Sequence, residues 1–144
     1  MSKGPGRRGR TRELLVQALY QMQIAGHDRS ELMRQFHERP EFKQVEAGFF
    51  DEAVIGICDN LGALEEEISR YADRPLEQLD PVERAILLLG FFELKNRIDV
   101  PFRVVINEAV NLTKRFGASD SHKFINALLD RAAPELRAAE IDQA

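Results

Sequence analysis

The chain has 144 residues, with 20 Lys and Arg against 24 Asp and Glu for a net charge of −4, 44% hydrophobic residues and 31% charged ones. That balance suits one globular domain, large enough to bury most of its apolar surface without staples. No apolar run approaches the roughly 20 residues that span a bilayer, and none follows the basic N-terminus to form the core of a secretory signal, so a cytoplasmic protein is expected. The single cysteine, Cys58, excludes an internal disulfide and a thiolate metal cluster, and is read as a small buried side chain.

The charge is unevenly spread. Lys3, Arg7, Arg8, Arg10 and Arg12 precede any acid, leaving 15 bases against 24 acids in the other 132 residues, a balance of −9. A basic arm on an acidic body can still neutralise phosphates, because screening confines the opposing field to about 8 Å at physiological salt.

Helical periodicity dominates, so the expected fold is all-α: a bundle of about seven helices. The first runs from about Arg10 to Ala25, with Leu14, Leu15, Ala18, Leu19 and Met22 in one stripe and Gly26 as its stop. Asp28 and Glu31 have capping-box spacing for a short second helix that Pro40 ends. A third spans about Gln44 to Leu61, stopped by Gly62, and a fourth holds Leu64, Ile68 and Tyr71, with Glu65, Glu66 and Glu67 on a solvated face. After a polar connection at Pro75, Asp80, Pro81 and Glu83 give the next helix its cap, first position and capping box. Its residues Val82, Ala85, Ile86, Leu89, Phe92 and Leu94 are apolar around so much of the circumference that this helix belongs at the centre of the core. Pro101 begins a sixth helix that ends at Gly117, expected to be left-handed, and a last helix follows Ser119, Asp120 and Ser121 and closes at Pro134. The expected organisation is one domain over residues 1–144: a flexible basic arm (1–9), an N-terminal helical half (about 10–73), a C-terminal half (about 76–134) and a frayed tail (135–144).

No motif carries catalysis. His27, His37 and His122 are dispersed without a ligand partner one turn away, so neither metal nor cofactor is expected. Glycine-rich phosphate loops and nucleophile elbows are missing from the sequence, and carboxylates such as Glu77, Asp80, Glu83 and Glu93 are accounted for as caps and surface charge. The residues point to binding instead. Arg8, Arg10 and Arg12 lead into a helix N-terminus, where guanidinium groups can fork to phosphate and stack on bases of single-stranded RNA. The segment SDSHKF offers His122 and Lys123 as donors, with Phe116 and Phe124 as stacking faces if their rings are exposed.

Four ordered blocks carry a resemblance to a known family: RRGRTRELLVQALY from Arg7, DPVERAILLLGFFEL from Asp80, DVPFRVVINEAVNLTKRFG from Asp99 and DSHKFINALLDRAAP from Asp120. Along nearly its whole length the chain resembles the NusB family. The resemblance implies two packed helical subdomains, no catalysis, and a partnership with NusE, a small-subunit ribosomal protein. Such a pair binds boxA RNA and joins other Nus factors on RNA polymerase to support ribosomal RNA synthesis. Carried over by position, Arg7, Arg8, Arg10 and Arg12 become RNA contacts, joined by Phe116, Asp120, His122, Lys123 and Phe124. The Asp120 carboxylate is expected to moderate affinity or cap its helix, with its amide analogue binding more tightly. Tyr20, Glu77 and Glu83 become NusE-facing positions. The family includes self-associating forms, so a homodimer is possible. The sequence departs from the family pattern at Gly9 and Thr11 in the arm, and at Leu15, Leu88 and Phe92. Two other readings stay open: a helical RNA-recognition or protein-interaction module working with a separate enzyme that modifies ribosomal RNA, and a bundle whose arm is incidental.

Overall fold

The computed structural model describes residues 6–142, which form eight α-helices and two short 3-10 turns; Lys3 and the rest of 1–5 lie outside them. Helix α1 spans Arg7–Ala25, α2 Arg29–His37, α3 Ala47–Asp59 and α4 Leu61–Tyr71. Then come α5 Pro81–Asn96, α6 Phe102–Phe116, α7 Ser121–Leu136 and α8 Ala138–Asp142. The 3-10 turns cover Pro40–Gln44 and Leu76–Gln78.

Helix α5 is central, as its apolar circumference predicted. Every residue from Ala85 to Leu94 is buried, and α1, α3, α4, α6 and α7 all pack on it. Its start is the expected capping box: the Glu83 amide donates to Asp80 Oδ1 at 2.8 Å, and Glu83 Oε1 accepts from the Asp80 amide at 3.3 Å. Helix α2 keeps only half of its expected capping box: the Glu31 amide donates to Asp28 Oδ1 at 2.9 Å, but the Glu31 carboxylate accepts from Arg34 and Gln35 instead of the Asp28 amide. Gly26 has φ 70 and ends α1 in the left-handed conformation, where the missing Cβ removes the steric cost.

Several expected boundaries are corrected. The arm is not free over its whole length: α1 begins at Arg7, three residues before the expected start. Pro40 opens a 3-10 turn after α2 has ended at His37. Helix α3 does not run from Gln44 to a stop at Gly62. It starts at Ala47 and breaks at Asn60, whose side-chain amide donates to the Gly56 carbonyl at 2.8 Å, and Gly62 lies in the first turn of α4. The run Glu65–Glu67 is only partly solvated, because Glu65 pairs with Arg84 and Glu67 with Lys95 on α5. Gly117 is not left-handed, having φ −90. Glycine is needed there for space, since a Cβ would sit 2.8 Å from the Thr113 carbonyl oxygen, and the left-handed residue of this turn is Asp120 at φ 72.

The expected frayed tail is a correction of larger consequence. Pro134 lies inside α7, which continues to Leu136, and Arg137 is buried. Its guanidinium donates to the carbonyls of Glu93, Leu94 and Arg97 at 3.2, 2.7 and 2.8 Å. Glu140 Oε2 accepts from the Phe102 amide at 3.0 Å. Arg137 therefore satisfies the orphan Leu94 carbonyl at the end of α5 and adds a donor to the Glu93 and Arg97 carbonyls, which already accept from the Arg97 and Val100 amides, while Glu140 satisfies an orphan amide at the start of α6. Those contacts hold the described part of the tail, 135–142, and 143–144 lie outside the described residues.

Candidate nucleic-acid interface

The first turn of α1 is stitched to the chain that enters α3. Thr11, fully buried, donates its hydroxyl to the Arg7 carbonyl at 2.7 Å and accepts from the Glu46 amide at 2.8 Å. Arg7 Nε donates to the Val45 carbonyl at 3.1 Å. Arg8 forks onto Glu46 at 2.8 and 3.1 Å, a hydrogen-bonded pair that lowers the Glu46 carboxyl pKa and raises that of Arg8. Thr11, which interrupts the run of arginines, is thus the residue that fixes their scaffold.

The four predicted arginines part ways in space. Arg12 is corrected out of the exposed set: 3% exposed, it forks onto the buried Glu93 carboxylate at 3.0 and 2.8 Å. Arg8, Arg12 and Arg97 surround the Phe49 ring at 5.3, 5.8 and 4.8 Å, close enough for cation–π attraction. Arg8 is half-buried, whereas Arg7 and Arg10 are exposed. Arg10 forms no ion pair among the described residues.

The second predicted segment spans the end of α6 and the start of α7. Phe116 and Phe124 are half-buried against the core. Arg115 lies over the Phe116 ring at 5.4 Å and Arg74 over Phe124 at 4.2 Å, so each ring already has a cation near one face. Asp120 stands at the N-cap of α7 but makes no side-chain cap hydrogen bond, which corrects its expected capping role. Its left-handed backbone turns the carboxylate to Lys123 Nζ at 3.5 Å, with both side chains 75% exposed. His122 is half-buried beside them.

Helix packing joins the two segments through residues that sequence reasoning missed. Arg10, Glu13, Gln17, Gln44 and Arg115 line one cleft, and Gln17 also lines the next groove, with Tyr20, Val82 and Phe116. Arg115 Nε lies 3.3 Å from Glu13 on α1. In sequence, Lys114 and Arg115 look like ordinary charges complementing the C-terminal dipole of α6. Only the packing of α1 and α6 on α5 brings Arg115 near Arg10.

The predicted partner positions also separate. Tyr20 is 42% and Ile24 61% exposed, bordering a largely apolar groove of about 400 Å³. Gln23 Nε2 donates to the Pro81 carbonyl at 2.9 Å and fixes this end of α1 to the start of α5. Glu77 is exposed in the 3-10 turn, but Glu83 is buried with one carboxylate oxygen used by the capping box. Its exposed area for a partner is small.

Among the described residues no group of three or more His, Cys, Asp or Glu side chains is placed to hold a metal ion, and no helix is long and apolar enough to cross a membrane. Burial pushes the Cys58 thiol pKa up, away from the thiolate a nucleophile needs. His37 is used in the fold, with Nε2 2.6 Å from Asp51 and its ring stacked on Phe42.

The all-helical scaffold thus presents a cleft lined by Arg10 and Arg115 beside a largely apolar groove. Comparisons with known proteins narrow the class. The NusB family model matches residues 9–134. The chain is 43% identical to the transcription antitermination protein NusB of Hahella chejuensis, over 98% of this chain and 95% of that protein. It is 49% identical to that of Halorhodospira halophila, over 93% and 87%. Its fold matches the solved structure of T. maritima NusB with a TM-score of 0.83 and 32% identity, covering 99% of this chain and all of that one. The chain belongs to the NusB family of transcription antitermination proteins, a family without enzymatic activity.

Proposed function

We propose that this protein binds boxA RNA together with NusE and supports ribosomal RNA transcription in the cytoplasm, joining other Nus factors on RNA polymerase. The observation that carries the reading is that exposed Arg10 from the arm and exposed Arg115 from the end of α6, the residue before Phe116, line one cleft. Exposed Arg10 supplies a forked donor for phosphate, and Arg7 and Arg8 supply the guanidinium N–H groups that Val45 and Glu46 leave free. Lys123 and His122 add donors at the far end, while Phe116 and Phe124 offer ring edges and guanidinium-capped faces for bases. NusE takes the groove bordered by Tyr20, and exposed Glu77 offers a carboxylate to complement a basic ribosomal protein.

The test is fluorescence anisotropy of boxA and scrambled RNA, with and without NusE, over a salt series. Because Arg12 is structural, the informative variant is Arg8→Ala with Arg10→Ala; deleting residues 1–12 would remove the Thr11 and Arg12 anchors as well. NusE should strengthen binding, and the double variant should flatten the log–log salt slope by up to about 0.7 per lost phosphate contact. Asp120→Asn removes a carboxylate that competes for Lys123 and should tighten binding. Equal, negligible retention of both RNAs at low salt with NusE present would end this reading.

A further inference from the structure

We infer that Lys114 and Arg115, in the last turn of α6, are phosphate contacts for the same ribonucleotide strand, continuing the line of basic side chains from Arg10 into a cleft that Gly9 of α1 also borders. This rests on the RNA-binding reading above and adds two residues that neither the arm nor the α7 segment contains.

The cleft has a volume of about 480 Å³ and is bordered by Gly9, Glu13, Glu108, Asn111, Lys114 and Arg115. Gly9 contributes no side chain, so a strand can lie against helix backbone there, and the cations above it come from α6. A second cleft of about 210 Å³ shares Glu13 and Arg115 with the first and leads to Arg10. Arg115 thus stands at the junction of the two. Its side chain is 58% exposed and its Nε lies 3.3 Å from the carboxylate of Glu13 on α1, whose own side chain is 19% exposed. That tether leaves both terminal nitrogens for another acceptor, the geometry in which arginine forks onto phosphate. Lys114 is exposed beside it, and the exposed amides of Asn111, Gln17 and Gln44 supply neutral donors and acceptors for sugar hydroxyls and base edges. Two other carboxylates face this track. Glu108 lies 3.9 Å from the buried Arg12 guanidinium, which offsets part of its charge, and Glu41 stands on the outer wall of the smaller cleft.

The experiment compares wild type, Lys114→Gln with Arg115→Gln, and Arg103→Gln, a control that removes an exposed cation from the opposite end of α6. Glutamine retains helix propensity, and thermal unfolding checks that each variant is folded. Binding of boxA RNA with NusE present is followed over a salt series. The double variant should bind more weakly and lose about 1.4 from the log–log slope, two single-strand contacts of about 0.7 each, while the control keeps the wild-type slope. A folded double variant with wild-type affinity and slope overturns this inference, even if Arg8→Ala with Arg10→Ala weakens binding and so upholds the RNA reading. If wild type itself retains no RNA, both fall.

Discussion

Replacing Arg12 by Met tests whether an arginine that reads as an RNA contact in the sequence instead holds the fold together. The side chain is 4% exposed and its Glu93 partner 2%. Methionine fills much of the same volume but leaves the Glu93 carboxylate buried without its forked donor. Breaking such a pair from one side costs about 3–5 kcal/mol, because desolvation of the remaining charge is no longer offset. At about 3 °C per kcal/mol for a chain of this size, the melting temperature should fall by roughly 10–15 °C. Converting both Arg12 and Glu93 to Met removes the stranded charge and should restore most of the loss. Urea denaturation of the two single variants and the double variant gives the coupling directly. Held well below its transition, folded Arg12→Met should bind boxA RNA nearly as wild type does, whereas Arg10→Ala should not. A destabilisation below about 1 kcal/mol, or weakened RNA binding at unchanged stability, would refute this assignment of Arg12.

Three further outcomes follow from local geometry. Asp80→Ala removes the cap of the central helix and should cost about 1 kcal/mol in chemical denaturation. Gly56→Ala places a Cβ 2.5 Å from the Phe92 ring and forces α3 and α5 apart or rotates that ring, a cost of about 1–3 kcal/mol measured the same way. The Glu31 carboxyl, hydrogen-bonded by Arg34 and then Gln35, is drawn from the ordinary 4.5 down to about 2. Whatever this interaction contributes is present above pH 4.5 and lost as pH falls toward 2. A carboxyl NMR titration should place the midpoint near 2 and return it toward 4.5 in Arg34→Ala; an unmoved midpoint would show that the guanidinium is not responsible.

Much of the architecture was legible in the chain itself, wherever the cause is local. Asp28 and Asp80 mark helix starts because a capping carboxylate and the amide it receives lie three residues apart. The apolar circumference of α5 required a central position, since no face of it could be left to water. The family was legible in four ordered blocks. Boundaries failed where the deciding partner was remote: nothing near Arg137 announces that carbonyls of α5 will need its guanidinium. Gly117 was misread because its close approach to Thr113 looks, in sequence, the same as a left-handed stop.

The candidate surface divides the same way. Residue order determined that a cluster of cations leads into the first helix and that an aromatic and basic segment follows the sixth. It did not determine which of those cations meet solvent. Arg10 and Arg12 are two residues apart, yet helix rotation turns one outward and the other toward Glu93, 81 positions away. The packing of α1 and α6 on the shared helix α5 also brings Arg115 beside Glu13 of the first helix. Local propensity depends on neighbours a few residues apart, whereas the exposure of a charge depends on what the folded chain brings against it.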